Sequence, residues 1–229
     1  TPSPDTNMVR YNPSGTRLAS AGHDHNGTPG QVRIWNTADW STTWQPQKAH
    51  GNRQGAEYGQ WIAWSPSGQY LALGSANNNA GSLGVYDYQN ESNVWWNNHF
   101  GSSNFVSFMV HPNGNSVVVG RKDYKVFELA LADGDILPGV PDAGRDWDIG
   151  TPMAVYYPSG AGLSIVGGVR VRGNNIKVFH PQSHNVVWTT RLGGGEGVLS
   201  AAFTPDQAYM VIGLGDGQTL IYNSDGLTS

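Results

Sequence analysis

The chain has 229 residues, enough for one large domain without disulfide or metal staples. Its 13 Lys and Arg against 17 Asp and Glu leave a net charge of −4, which excludes the basic footprint of a nucleic-acid binder and a polybasic membrane patch. It contains no cysteine, hence no disulfide, thiolate metal site or Cys nucleophile, and no apolar run reaches the length of a membrane span.

Read in chain order, the first element is the run Met8-Val9-Arg10-Tyr11, which breaks at Pro13-Ser14-Gly15 and restarts as Leu18-Ala19-Ser20-Ala21-Gly22. An alternating run, Val32-Arg33-Ile34-Trp35-Asn36, and a more polar one, Thr42-Thr43-Trp44-Gln45, complete a four-strand unit. The second unit repeats the order. A first strand carries Trp61 and Trp64, Pro66-Ser67-Gly68 makes the turn, and Leu71-Ala72-Leu73-Gly74, Leu83-Gly84-Val85-Tyr86-Asp87 and Asn93-Val94-Trp95-Trp96 follow. The third turns at Pro112-Asn113-Gly114 and continues through Val117-Val118-Val119-Gly120 and Tyr124-Lys125-Val126-Phe127-Glu128. Its last segment, Asp135-Ile136-Leu137-Pro138-Gly139-Val140-Pro141, is rich in Pro and Gly and reads as a poor or edge strand.

The fourth unit turns at Pro158-Ser159-Gly160 and supplies Leu163-Ser164-Ile165-Val166-Gly167, Ile176-Lys177-Val178-Phe179-His180 and Asn185-Val186-Val187-Trp188-Thr189. The fifth turns at Pro205-Asp206-Gln207, then gives Met210-Val211-Ile212-Gly213 and Thr219-Leu220-Ile221-Tyr222-Asn223, with no visible fourth strand. The turn prolines recur at intervals of 53, 46, 46 and 47 residues. A period of roughly 40–50 residues marks a propeller or solenoid. No helical periodicity appears, so the expected fold is all-β: one domain over 1–229, a propeller of about five four-stranded blades, with units at 6–50, 58–100, 104–141, 151–192 and 197–229. An aromatic is expected at one place in all five third strands: Trp35, Tyr86, Phe127, Phe179 and Tyr222.

The first unit, with His23-Asp24 behind its second strand and Trp35-Asn36 ending its third, resembles a WD-repeat β-propeller unit. The resemblance implies a network in which a turn Asp bonds a His before the first strand, and that His supports a Ser or Thr and the Trp. Asp24, Asp123 and Asp216 match the turn Asp, with Asn77 and Asn174 or Asn175 in the other turns. His50 and His99 stand before units two and three, and Trp35 is the one aromatic of the five that is Trp. In such propellers an N-terminal segment usually completes the last blade. Here Thr1-Pro2-Ser3-Pro4-Asp5 is a poor strand. Three arrangements stay open: a five-bladed ring with an incomplete last blade, part of a larger propeller, or a last blade completed by a partner's strand.

Candidate chemistry is sparse. His23 and His25 sit two apart, on one side of an extended segment, but lack a third metal ligand. Asp133 and Asp135 open an acidic stretch that ends at Asp146 and Asp148, without the spacing of a helix–loop–helix calcium site. His180 and His184 flank a hairpin turn rather than a helix face. No Asp or Glu stands inside an inner strand, and no nucleophile elbow, phosphate loop or dinucleotide fingerprint occurs, so neither catalysis nor a cofactor is expected. Trp44, Trp188 and one of Trp95 and Trp96 recur about 30 residues after their unit's Pro and are expected between blades. Consecutive Trp95 and Trp96 face opposite ways on a strand, which leaves one exposed. Together with Trp40, Trp147, Tyr58 and Arg53, that Trp forms the candidate binding surface.

The expected function is a binding and assembly module for a protein partner or for copies of itself. The alternative is a secreted lectin-like propeller that stacks Trp on carbohydrate. Charged residues are only 13% of the chain, a balance more typical of extracellular or virion surfaces. Asn26 and Asn90 lie in glycosylation sequons.

Overall fold

The computed structural model describes residues 5–23, 31–44, 59–77, 80–97, 105–121, 126–138, 152–156, 163–167, 175–179, 186–191, 198–204, 206 and 208–223. These residues hold strands and turns and no helix. Five antiparallel meanders follow one another along the chain. Blade one is β1 (Asp5–Tyr11), β2 (Arg17–His23), β3 (Gln31–Asn36) and β4 (Thr42–Trp44). Blade two is β5 (Gly59–Trp64), β6 (Tyr70–Asn77), β7 (Ala80–Asp87) and β8 (Ser92–Asn97). Blade three is β9 (Phe105–Val110), β10 (Ser116–Arg121) and β11 (Val126–Ala130). Blade four is β12 (Pro152–Tyr156), β13 (Leu163–Gly167), β14 (Asn175–Phe179) and β15 (Val186–Arg191). Blade five is β16 (Val198–Phe203), β17 (Tyr209–Leu214) and β18 (Thr219–Asn223). The fold is a β-propeller.

The same hairpin joins the first two strands of blades one, two and three. Gly15, Gly68 and Gly114 take left-handed φ values of 70°, 73° and 76°, three residues after Asn12, Ser65 and His111, whose carbonyls accept their N–H groups at 2.8–2.9 Å. The intervening Pro presets its own φ, so Pro and Gly together fix the turn and, with it, the pairing register behind it. The residue before the Pro adds a side-chain acceptor. Asn12 Oδ1 takes the Arg17 N–H at 2.9 Å, Ser65 Oγ that of Tyr70 at 3.0 Å, and Thr204 Oγ1 that of Tyr209 at 3.1 Å. These turns stack from blade to blade, since a Cβ on Gly68 would lie 3.6 Å from Pro13 Cδ and one on Gly114 3.6 Å from Pro66 Cδ.

The core lies between blades. Residues paired across neighbouring strands share a face, so each blade presents rows. Blade one sends Ala19 and Ile34, both fully buried, against Trp64, Leu71 and Tyr86 of blade two. Blade two sends Ala63, Ala72, Val85 and Trp95 against Val110, Val117 and Leu129 of blade three. The rule is small side chains in the second strand's forward row, large ones in the row facing back.

Two expectations about aromatics change. The third blade does not repeat the aromatic position: Val117 is the register equivalent of Leu18, and its partner is Leu129, whereas Phe127 pairs with Val119 two residues earlier. An aliphatic residue therefore fills the slot of Trp35 and Tyr86. Nor is either Trp95 or Trp96 exposed. They do face opposite ways, but a neighbouring blade covers each face, with Trp95 against the blade two–three core and Trp96 against the blade one–two core. Register also identifies the recurring strand-four tryptophan, because Trp44, Trp95 and Trp188 pair with the equivalent residues Ile34, Val85 and Val178. Among the described residues, the third blade's fourth strand is represented by a bridge between Leu129 and Ile136, in keeping with its Pro-rich sequence.

Trp96 fits because its cross-strand partner has no side chain: a Cβ on Gly84 would fall 1.8 Å from Trp96 Cε3. We therefore expect Gly84→Ala to cost about 1–3 kcal/mol and to lower the melting temperature by several degrees. Combining it with Trp96→Leu should recover part of that loss, measured as a double-mutant cycle in urea.

Candidate functional site

Of the residues singled out from the sequence, Asp24, His25, Asn26, His50, Arg53, Tyr58, His99, Asp123, Asp146, Trp147, Asp148, Asn174, His180 and His184 lie outside the described residues. His23 ends β2. Trp35 is half-buried and donates from Nε1 to Ser20 Oγ at 3.1 Å. Asp216 is exposed and accepts the N–H of Gln218 at 2.9 Å, closing the turn between β17 and β18. Asp133 is exposed and accepts the N–H of Asp135 at 3.0 Å. Among the described residues no three His, Asp or Glu side chains gather as a metal site would require.

The carboxylates serve turns rather than a common centre. Asp39 accepts from the hydroxyl and N–H of Ser41, and these bonds hold it below the usual carboxylate range. Asp206 is held down in the same way by the Thr204 hydroxyl at 2.5 Å and the Ala208 N–H. His111 is also held below its usual value, here by burial, which outweighs the opposing pull of nearby Glu128 and of the Asn113 side chain; its Nδ1 accepts the Asn113 N–H at 3.1 Å.

Sequence reading passed over Asp87, the most enclosed carboxylate described, at 7% exposure. Its two oxygens accept four hydrogen bonds: Gln89 N–H at 2.9 Å, Asn90 N–H at 3.0 Å, Asn90 Nδ2 at 2.8 Å and Gln69 Nε2 at 3.0 Å. Burial pushes its pKa up, but the four donors outweigh that and hold it below the usual value. The available signal was its place directly after the third-strand aromatic. Beside it, Tyr88 ties blade one to blade two. Its hydroxyl accepts from Arg17 Nε at 2.9 Å, its ring meets Trp64 edge-on at 5.8 Å, and Trp64 Nε1 donates to the Arg10 carbonyl at 3.1 Å.

Trp40 is a different kind of site. It is 55% exposed and holds a left-handed φ of 59°. Asn36–Trp40, Asp87–Glu91 and Ala130–Gly134 are equivalent turn spans, and their last residues have φ values of 59°, 51° and 79°. Gly suits that conformation; a bulky side chain there is an outlier. Trp95 explains the Gly in blade three, where a Cβ on Gly134 would lie 2.7 Å from its ring, while its Nε1 donates to the Leu131 carbonyl at 2.8 Å.

Apolar side chains also stand exposed on blades one and five. On blade one, Tyr11, Leu18 and Trp35 form one row, with Val9 beside it; Tyr11 is 59% and Val9 47% exposed. On blade five, Ala202, Val211 and Ile221 form a row, with Ile221 at 66% exposure. Full burial of an Ile side chain is worth about 1.5–3 kcal/mol, and this one leaves most of that unrealised.

No family model matches the chain, and no curated protein sequence matches it. Among solved structures it is similar to the crystal structure of the β-propeller domain of Cps50 (Swd1) from Myceliophteria thermophila, with a TM-score of 0.74 at 17% identity. The match covers 97% of this chain and 66% of that one, so the chain spans just under two thirds of that structure's length. At this identity the likeness establishes the propeller fold.

Asp87 supplies a test of the turn chemistry. A depressed folded-state pKa adds stability that is present above the unfolded value of about 3.9 and is lost as pH falls through the folded value. In Asp87→Asn the new amide points donors at the donors of Gln69 and Asn90. We expect a loss of about 1–3 kcal/mol at pH 7, narrowing as pH falls below about 3.9, followed by urea denaturation at each pH.

Proposed function

We propose that the chain is a non-catalytic binding and assembly module of WD-repeat type, acting through protein–protein contacts. In this reading 1–229 is a single domain with units at 6–50, 58–100, 104–141, 151–192 and 197–229. The observation that carries it is the exposed apolar side chains on one face of blade one, Val9 and Tyr11, and on one face of blade five, Tyr209 and Ile221. Exposed apolar surface arranged as a face, rather than scattered singly, marks an interaction site. Asp39, Asp87, Asp133, Asp206 and Asp216 each accept a backbone N–H of their own turn, which supports a role without acid–base chemistry. The Trp35–Ser20 bond supports the WD-repeat kind.

A photo-crosslinking amino acid at position 221 or 11 tests this. The expected result in native extract is a discrete polypeptide adduct at both positions and none from position 113, on an exposed turn. Equal background labelling at all three positions would remove the basis for the reading.

A second reading rests on Trp40 alone, a bulky aromatic held exposed in a conformation that disfavours it. Strain kept at a surface residue points to use, and an exposed indole offers a stacking platform for a sugar face. Trp40→Gly relieves about 1–2 kcal/mol of left-handed strain and adds about 0.5–1 kcal/mol of unfolded-chain entropy. The variant should therefore be as stable as the parent or slightly more so. If Trp40 binds carbohydrate, the parent's fluorescence responds to polymeric sugars and the variant's does not; a flat response in both counts against a lectin.

A further inference from the structure

The residue before the turn proline is Asn12 in blade one, Ser65 in blade two, His111 in blade three and Thr204 in blade five. Each lends a side-chain acceptor to its own hairpin. In blades one, two and five that acceptor is an oxygen, Asn12 Oδ1, Ser65 Oγ or Thr204 Oγ1, which accepts at any ordinary pH. In blade three it is an imidazole nitrogen, because His111 Nδ1 takes the Asn113 N–H at 3.1 Å. A ring nitrogen accepts only while it carries no proton; in the imidazolium both nitrogens are donors. The hairpin of blade three is thus closed by a bond that a proton can remove.

His111 is half-buried directly after β9. Its N–H donates to the Ser116 carbonyl and its own carbonyl accepts the Gly114 N–H, both at 2.8 Å. The buried Ser116 hydroxyl donates to Glu128 Oε1, so the carboxylate that acts on the ring is itself held in place. Of the other titratable groups on the elements packed around the hairpin, Arg121 ends β10, and Tyr156 ends β12, which packs against β9 and β10. Asp133 and Asp135 are exposed on the turn behind β11, a turn tied to the hairpin by the Leu131 N–H on the Asn115 carbonyl at 2.8 Å. The neighbouring hairpin of blade two, residues 65–69, contains no charged residue. Burial disfavours the imidazolium and outweighs the opposing pull of Glu128 and of the Asn113 side chain.

We propose that His111 is an acid-operated latch: a proton on its ring opens the hairpin of blade three while the oxygen-closed hairpins of blades one and two stay shut. Protonated Nδ1 points a hydrogen at the Asn113 N–H it formerly accepted. The new donor also competes for Asn113 Oδ1, which otherwise takes the Asn115 N–H at 2.9 Å. Opening reaches the joint with blade two, because Gly114 stacks on Pro66 and because Val110 and Val117, flanking the hairpin, are buried in that joint. The folded ring favours its neutral form. The stability it contributes is therefore complete above the unfolded-state value of about 6.5 and is lost as pH falls from there toward the lower folded-state value. The latch works in mildly acidic conditions, whatever the molecule binds.

The test follows hydrogen exchange by NMR at three equivalent amides, those of Gly15, Gly68 and Gly114, which donate to the carbonyls of Asn12, Ser65 and His111. Taking Gly114 relative to the other two cancels the intrinsic dependence of exchange on pH. From about pH 7.5 to about pH 5, a span that contains the unfolded-state value of His, the relative exchange of Gly114 should rise severalfold as the His111 ring titrates. In His111→Asn, which supplies the oxygen acceptor of blade one, the ratio should stay constant. Should circular dichroism show that variant to be misfolded, His111→Ser, with the residue of blade two, replaces it and the same result is expected. In Glu128→Gln, loss of the opposing charge should move the ring titration and the release together to lower pH. A constant ratio in the parent while the ring titrates overturns the proposal, as does a ring that stays neutral throughout. The same rise in the His111 variant, or a release that stays put when Glu128→Gln moves the ring titration, overturns it equally.

Discussion

A sheet of three or four strands has two faces and cannot bury either alone. The rest of this molecule depends on how it solves that constraint, by setting a row of small side chains against a row of large ones at the joints between blades one and two and between two and three. Ala19, Ala21 and Ala72 are at most 1% exposed and leave room for Trp64, Tyr86 and Leu129 to approach. The hydrophobic core is consequently a series of layers between blades, and the loss of any one layer exposes two faces at once.

Such layers work only if every strand keeps its register, because a slip of one residue would send the small row to the wrong face. The Pro-x-Gly hairpins are the registration device. Their geometry repeats from blade to blade, they contact one another through Pro13 and Pro66, and they lie outside the apolar layers. Local turn chemistry and long-range packing thus specify the same alignment, which is the condition for a single folded arrangement. The carboxylates belong to this system as well. Asp87 is the deepest case, with four donors compensating the cost of burying its charge.

Most of the strand order was legible from the chain because Pro13, Pro66, Pro112, Pro158 and Pro205 mark the same turn, with apolar runs at constant distance. The third blade shows where that legibility ends. Phe127 looks like the counterpart of Trp35 when aromatics alone are counted, yet pairing with Val117 gives the position to Leu129. Residue type is a weaker guide than register when a short loop shifts a strand by two. Trp96 shows a second limit: alternation correctly sets it opposite Trp95, but exposure depends on whether another sheet lies beyond, and that is a tertiary fact. Asp87 was hidden for a related reason, since its importance comes from Gln69, eighteen residues away and brought alongside only by pairing.

The left-handed turn residue between third and fourth strands carries Trp in blade one, Glu in blade two and Gly in blade three. Backbone conformation there is nearly constant while chemistry is not: one blade displays an aromatic plate, the next an anion, and the third a bare backbone roofed by Trp95. The propeller therefore offers equivalent mounting points along one rim; in blades one and two a side chain can be exchanged there without disturbing the joints beneath, whereas in blade three Trp95 demands glycine. Specificity on that rim can change one residue at a time, whereas the joints can change only in matched pairs.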